Sequence, residues 1–140
     1  MKSRRALSLV EVVLTIVILG LAIPPLLFQI TASVQLQEAA LVQQNLTALA
    51  SERMWEIVAD HANPTRGYTY VQDSAYPAET DPGGLTGYSR TTTVREVDPA
   101  DYITPQTDSG IKRFKIMVTG IGSRTLVIES FVAELPGTGG

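Results

Sequence analysis

The chain has 140 residues, no cysteine, and 11 basic against 14 acidic side chains, a formal net charge of −3. The missing cysteines exclude disulfides and thiolate metal sites and leave the redox compartment unread. Lys2, Arg4 and Arg5 lie at the very start, so the remainder carries 11 − 3 = 8 basic and 14 acidic residues, or −6, a balance with no general attraction to nucleic acid or anionic lipid.

Those three basic residues precede an apolar run, Leu7 to Ile30, and no residue from Val12 to Gln37 is charged. As a helix, Leu7–Ile30 is about 35 Å long, enough to cross the hydrocarbon core of a bilayer. The basic start predicts a cytoplasmic N-terminus with the rest exported. An ordinary secretory signal would have a shorter apolar region ending in a small-residue cleavage site, and Leu21-Ala22-Ile23-Pro24-Pro25 is a poor one. The remaining chain is also too small to surround such a helix in a soluble core. That leaves about one modest domain beyond it.

Glu11 interrupts the run. A carboxylate costs on the order of 2.5–3.5 kcal/mol at the bilayer centre and less near its edge, so it calls for a partner. No basic residue shares its helix face within the run. The bland reading is a stray glutamate reaching back to the cytoplasmic interface.

Ala6-Leu7-Ser8-Leu9-Val10-Glu11 resembles the prepilin peptidase site of type IV pilins and type II secretion pseudopilins. In that family a short basic leader ends in a small residue, usually Gly, and cleavage falls before the apolar stretch. The new terminus is apolar, usually Phe, with a Glu four residues on. Here Ala6 and Leu7 replace Gly and Phe. The resemblance implies cleavage between Ala6 and Leu7 and N-methylation of Leu7. It also implies that Glu11 neutralises the Leu7 amine of a neighbouring subunit, which would enforce register because an unpaired buried charge is expensive. The implied partners are other pilin or pseudopilin subunits, the prepilin peptidase, an inner-membrane assembly platform and membrane lipid.

Pro24 and Pro25 lack backbone donors, so the carbonyls of Gly20 and Leu21 lose their helical partners. A kink or a melted stretch is expected around Gly20–Pro25. Similar family members carry a single, later proline and lose helix locally in filaments.

Beyond Ile30, apolar residues recur at Val42, Leu46, Leu49, Ala50, Met54, Ile57 and Val58, a helical stripe. Glu52, Arg53, Glu56 and Asp60 are expected to occupy much of the other side. The helix should end near Asn63-Pro64. Its Leu/Ala-rich run from Leu46 to Met54 is similar to the helix of minor pilins and smaller pseudopilins.

Downstream the pattern turns to β. Tyr68-Thr69-Tyr70-Val71 is a candidate strand, and Gln72 to Gly87 a loop with Pro77, Pro82 and Gly83-Gly84. Tyr88 to Val97 reads as a strand, Asp101 to Gly110 as a loop, and Ile111 to Thr119 alternates with Phe114, Ile116 and Val118 on one face. Gly120–Ser123 makes a turn. Arg124 to Leu135 carries apolar residues on both faces, which suits an interior or helix-covered strand. The expected fold class is α+β: a long N-terminal helix on a small antiparallel sheet of three to four strands. The segments are a leader (1–6), a membrane half (7–30), an amphipathic half (31–63), a β domain (64–135) and a frayed tail (136–140).

No catalytic constellation is found. His61, the only histidine, lies near a helix end, where a surface imidazole needs no special role, and no G-x-S-x-G, phosphate-cradling or H-E-x-x-H motif occurs. Gly83-Gly84, Gly120 and Gly122 read as ordinary turn glycines, and the sequon Asn45-Leu46-Thr47 lies mid-helix. The best oxygen-ligand set is Asp98, Asp101 and Asp108, which lacks EF-hand spacing. Tyr68, Tyr70, Tyr76, Tyr88 and Tyr102 suit either a docking surface or packing, and Trp55 either the sheet or a neighbouring subunit. No cofactor is implied. The sequence therefore points to a processed filament subunit, a minor one for its short, proline-interrupted domain, lodged in a bacterial inner membrane with its β domain periplasmic. The competing expectation is a single-span anchored binding or sensor domain that never polymerises.

Overall fold

The computed structural model describes residues 9–134. The leader, the Ala6–Leu7 junction, Leu135 and the tail lie outside them. Helix α1 spans Leu9–Ala62, and contacts divide the chain into two compact units between Leu41 and Val42.

α1 runs through Gly20, Pro24 and Pro25 without a break in its helical assignment. Of the kink or melted stretch expected there, the isolated chain is helical rather than melted. The cause of a kink remains in place, because the carbonyls of Gly20 and Leu21 face proline nitrogens that cannot donate.

In the second unit, α1 buries Leu46, Leu49, Ala50 and Ile57. The same three-and-four spacing continues through Arg53 and Asp60, which are also buried. Both had been expected on the solvent side. Helical geometry dictates the face, and polarity does not overrule it when partners are supplied. Val58, assigned to the stripe, is exposed instead.

The predicted strand at Tyr68–Val71 is a short helix, α2 (Gly67–Tyr70). Gly67 adopts φ 60°, and its N–H donates to the Asn63 carbonyl (2.9 Å), so the chain is turning tightly rather than extending. Val71 then enters the core. The loop expected over residues 72–87 contains a two-residue strand, β1 (Glu79–Thr80).

β2 (Ser89–Glu96), β3 (Ile111–Thr119) and β4 (Thr125–Ala133) follow, and the sheet is an antiparallel meander ordered β1-β2-β3-β4. Alternation sends Val94, Phe114, Ile116, Val118 and Val132 inward, against the helix residues and Tyr76 and Tyr88. Each large apolar side chain buried in this way contributes about 1.5–3 kcal/mol relative to exposure.

β4 is an edge strand, not an interior one. Leu126 and Ile128 pack against the core, but Val127 and Phe131 on the other face are 44% and 46% exposed. Short connections place successive strands side by side, so the last one has no neighbour beyond it.

Gly120 is more than a turn glycine. A Cβ there would come within 2.6 Å of Tyr88 and 3.1 Å of Leu46. Its bare backbone leaves room for the Tyr88 ring and the Leu46 side chain.

Candidate functional site

The first unit presents an apolar surface that is exposed among the described residues. An 18-residue window of α1 has a mean hydropathy of 2.4, with none of it buried. Leu9 to Ile30 as a helix spans about 33 Å, so the segment is long and apolar enough to cross a membrane. Its hydroxyls are satisfied within the helix: Thr15 Oγ1 donates to the Glu11 carbonyl (2.7 Å). Glu11 lies within the described helix, two residues after its first described position, Leu9. Its carboxylate is exposed and has no ion-pair partner among the described residues. A Cβ built on Gly20 would meet nothing within 4 Å, so this stretch of backbone is open to close approach by another chain.

The second unit is held by charge as well as by apolar packing. Glu79 of β1 accepts from two arginines, Arg53 on α1 and Arg90 on β2, the latter at 2.6 Å through Nη2 and 3.0 Å through Nε. Arg90 Nη1 also donates to the Leu49 carbonyl (2.8 Å) and to Glu52 (3.1 Å). Arg53 reaches Glu56 (3.2 Å) and lies over the Tyr76 ring, while its Nε is buried without a partner. Burial pushes the Glu79 carboxyl upward, but hydrogen bonds from Arg90 and Arg53 outweigh it and hold the group below its ordinary range. Lower on the helix, Asp60 accepts from Arg66 and from the Tyr76 hydroxyl (3.1 Å). Burial and this carboxylate raise the Tyr76 hydroxyl well above its usual value. His61 Nε2 meets the Ala133 carbonyl at 2.9 Å, tying the end of α1 to the end of β4, a job not anticipated for it.

The carboxylates of the aspartate loop serve its turns. Asp98 Oδ1 accepts from the Ala100 N–H (2.7 Å), and Asp101 accepts from Ile103 N–H (2.8 Å), Thr104 N–H (2.9 Å) and the Thr104 hydroxyl. The Thr104 hydroxyl bond, followed by the two backbone bonds, lowers the Asp101 carboxyl. No group of carboxylates or histidines able to hold a metal forms among the described residues, so Asp98, Asp101 and Asp108 are not brought together as ligands.

The tyrosines divide. Tyr76 and Tyr88 are core, the latter accepting from Asn45 Nδ2 (3.2 Å), and Tyr68 lies beside buried Lys112. Tyr102 is exposed and packs edge-on against Phe131. Trp55 is 65% exposed and does not cover the sheet. The burial of Arg53 and Asp60 departs from their expected place on the solvent side, although the spacing 46, 49, 50, 53, 57, 60 carries the signal.

No family model, curated protein or solved structure matches the chain.

Proposed function

We propose that the chain is a structural subunit of a type IV pilin-like filament, a pilus or a secretion pseudopilus, assembled through its N-terminal helix. The observation that carries this reading is an uncovered apolar helix segment with one ionisable group, Glu11, near its start. A bilayer satisfies the apolar surface before assembly, and a bundle of like helices satisfies it afterwards. Neither leaves a lone carboxylate comfortable without a cation. A free amine on Leu7 of an adjacent subunit supplies that cation once the leader is removed. The minor-subunit role follows from the small, proline-interrupted domain. On this reading the N-terminus starts cytoplasmic and the β domain lies across the inner membrane, a role without catalysis.

The mass and N-terminal sequence of protein extracted from membranes of cells that contain a prepilin peptidase test the proposal. A start at methylated Leu7 is the expected result. An intact start upstream of Leu7 would overturn it and favour an anchored domain that does not polymerise.

A further inference from the structure

The outward face of the sheet carries a second feature, independent of the membrane segment. The register places Arg95 of β2 directly opposite Arg113 of β3, and Arg113 opposite Phe131 of β4. The next outward row is Thr93, Lys115 and Glu129. Like charges directly opposite across a strand pair destabilise a sheet. Three cations here face one carboxylate, because Glu129 serves both Arg113 (2.6 Å) and Lys115 (3.8 Å). Among the described residues no carboxylate pairs with Arg95. In a domain whose overall charge is negative, this is a local excess of positive charge on the face of the sheet turned away from the core.

The same face is concave. A groove of about 320 Å³ is lined by Thr93, Arg95, Val97, Ile103, Arg113 and Lys115, with Pro105 as its outer wall. The wall is fixed: Val97 bridges to Pro105, Asp98 N–H donates to the Thr104 carbonyl (2.8 Å), and Gln106 N–H to the Glu96 carbonyl (3.1 Å). The aspartate turn holds Ile103 out at the rim, 68% exposed, next in the chain to Tyr102, whose ring packs on Phe131. Tyr102 adopts φ 58°, a backbone conformation costly for a side chain of its size.

We propose that this groove is a docking site for an acidic segment of a partner protein, whose carboxylates pair with Arg95 and Arg113 while an adjacent apolar side chain covers Ile103, Tyr102 and Phe131. Arginines and aromatics around a cleft are the composition of interface centres. Each guanidinium can take both oxygens of a carboxylate in a fixed geometry. The apolar rim selects a protein segment over a free anion, because a small oxyanion would neutralise the arginines and leave the rim wet.

The test uses the full chain in detergent micelles and observes the Arg95 and Arg113 side-chain N–H resonances by NMR. The probes are a short end-capped peptide of alternating Glu and Leu, its Gln-for-Glu analogue, citrate, inorganic phosphate and single-stranded oligodeoxythymidylate. The Glu/Leu peptide should shift both resonances saturably, and the Gln analogue should not. Arg95→Gln should weaken the peptide by about tenfold, the loss of one charged hydrogen-bond partner. The same variant should leave the thermal midpoint unchanged or raised, because it relieves a like-charge pair. A lowered midpoint would make Arg95 a structural residue and overturn the assignment. So would citrate or phosphate binding as tightly as the peptide, tighter binding of the oligonucleotide, or no shift with any probe. None of these outcomes depends on cleavage at Leu7, so failure here is distinguishable from failure of the filament reading.

Discussion

Arg53, on α1, and Glu79, on the two-residue strand β1, form an ion pair in which the arginine is only 2% exposed. The contact crosses 26 residues of chain. It fixes a segment too short to hold itself, since β1 has only the edge of β2 beside it. Glu79 then passes the constraint on to Arg90, so helix, short strand and sheet share one carboxylate.

Glu79→Gln removes the charge from both pairs at once. Breaking a buried pair typically costs about 3–5 kcal/mol. Glu56 and Glu52 remain beside the two arginines, so the expected loss is smaller, about 2–3 kcal/mol. Chemical denaturation of the wild type and the variant, read by Trp55 fluorescence or circular dichroism, measures it.

The same group sets a pH dependence. The folded-state value of Glu79 lies below its ordinary 4.5, so its contribution is fully present above that value and is lost as pH falls through the lowered folded value. Wild-type stability should therefore decline through the acid range, and the decline should be shallower in Glu79→Gln. Equal slopes for the two proteins would remove Glu79 from the account.

Gly120→Ala forces a methyl group into Tyr88 and Leu46, both buried. Overpacking of this kind costs about 1–3 kcal/mol. Gly122, where a Cβ meets nothing within 4 Å, is strained only by its φ of 72°. Thermal unfolding of Gly120→Ala and of a Gly120→Ala, Tyr88→Leu double variant should show partial recovery in the second.

Tyr76→Phe deletes the hydroxyl that donates to Asp60 while keeping the ring in the core. Asp60 keeps Arg66, so the expected cost is about 1 kcal/mol. An Asp60→Ala variant should cost more, because it leaves both the Tyr76 hydroxyl and Arg66 without their acceptor. Equilibrium unfolding of the two variants ranks them.

Glu11→Lys tests the filament reading without touching the β domain. Incorporation into filaments should be lost, while the unfolding midpoint of the globular unit shifts by no more than an exposed substitution does, within about 0.5 kcal/mol. Immunolabelled filaments and unfolding of the extracted protein give the two readouts. Normal incorporation of the lysine variant would exclude the proposed pairing with the Leu7 amine.

Much of the fold was legible because it rests on periodicity. The uncharged run, the helix end before Pro64 and the alternation in Ile111–Thr119 each follow from one local rule. Tyr68–Val71 misled because four residues rich in tyrosine and threonine have strand propensity, yet Gly67 and the Asn63 carbonyl close a turn there first. β4 misled for a different reason. Apolar residues on both faces suit an interior or a helix-covered strand, whereas β4 is an edge strand whose inner face packs on the core and whose Val127 and Phe131 remain exposed. The aspartate loop offered oxygen ligands by composition alone, and only the structure shows that Asp98 and Asp101 accept from the loop's own N–H groups.

The sequence by itself determined the long helix, its uncharged apolar half, the position of Glu11 and the existence of an antiparallel sheet. All of these are written in charge spacing and in periods of 3.6 and 2, which each segment carries alone. Only the tertiary structure decided which groups meet Arg53 and Asp60, that Glu79 joins two arginines, that Gly120 makes room for Tyr88, and that Arg95 faces Arg113. Those depend on strand register and on which helix turn meets which strand, relations between distant residues that local patterning does not encode.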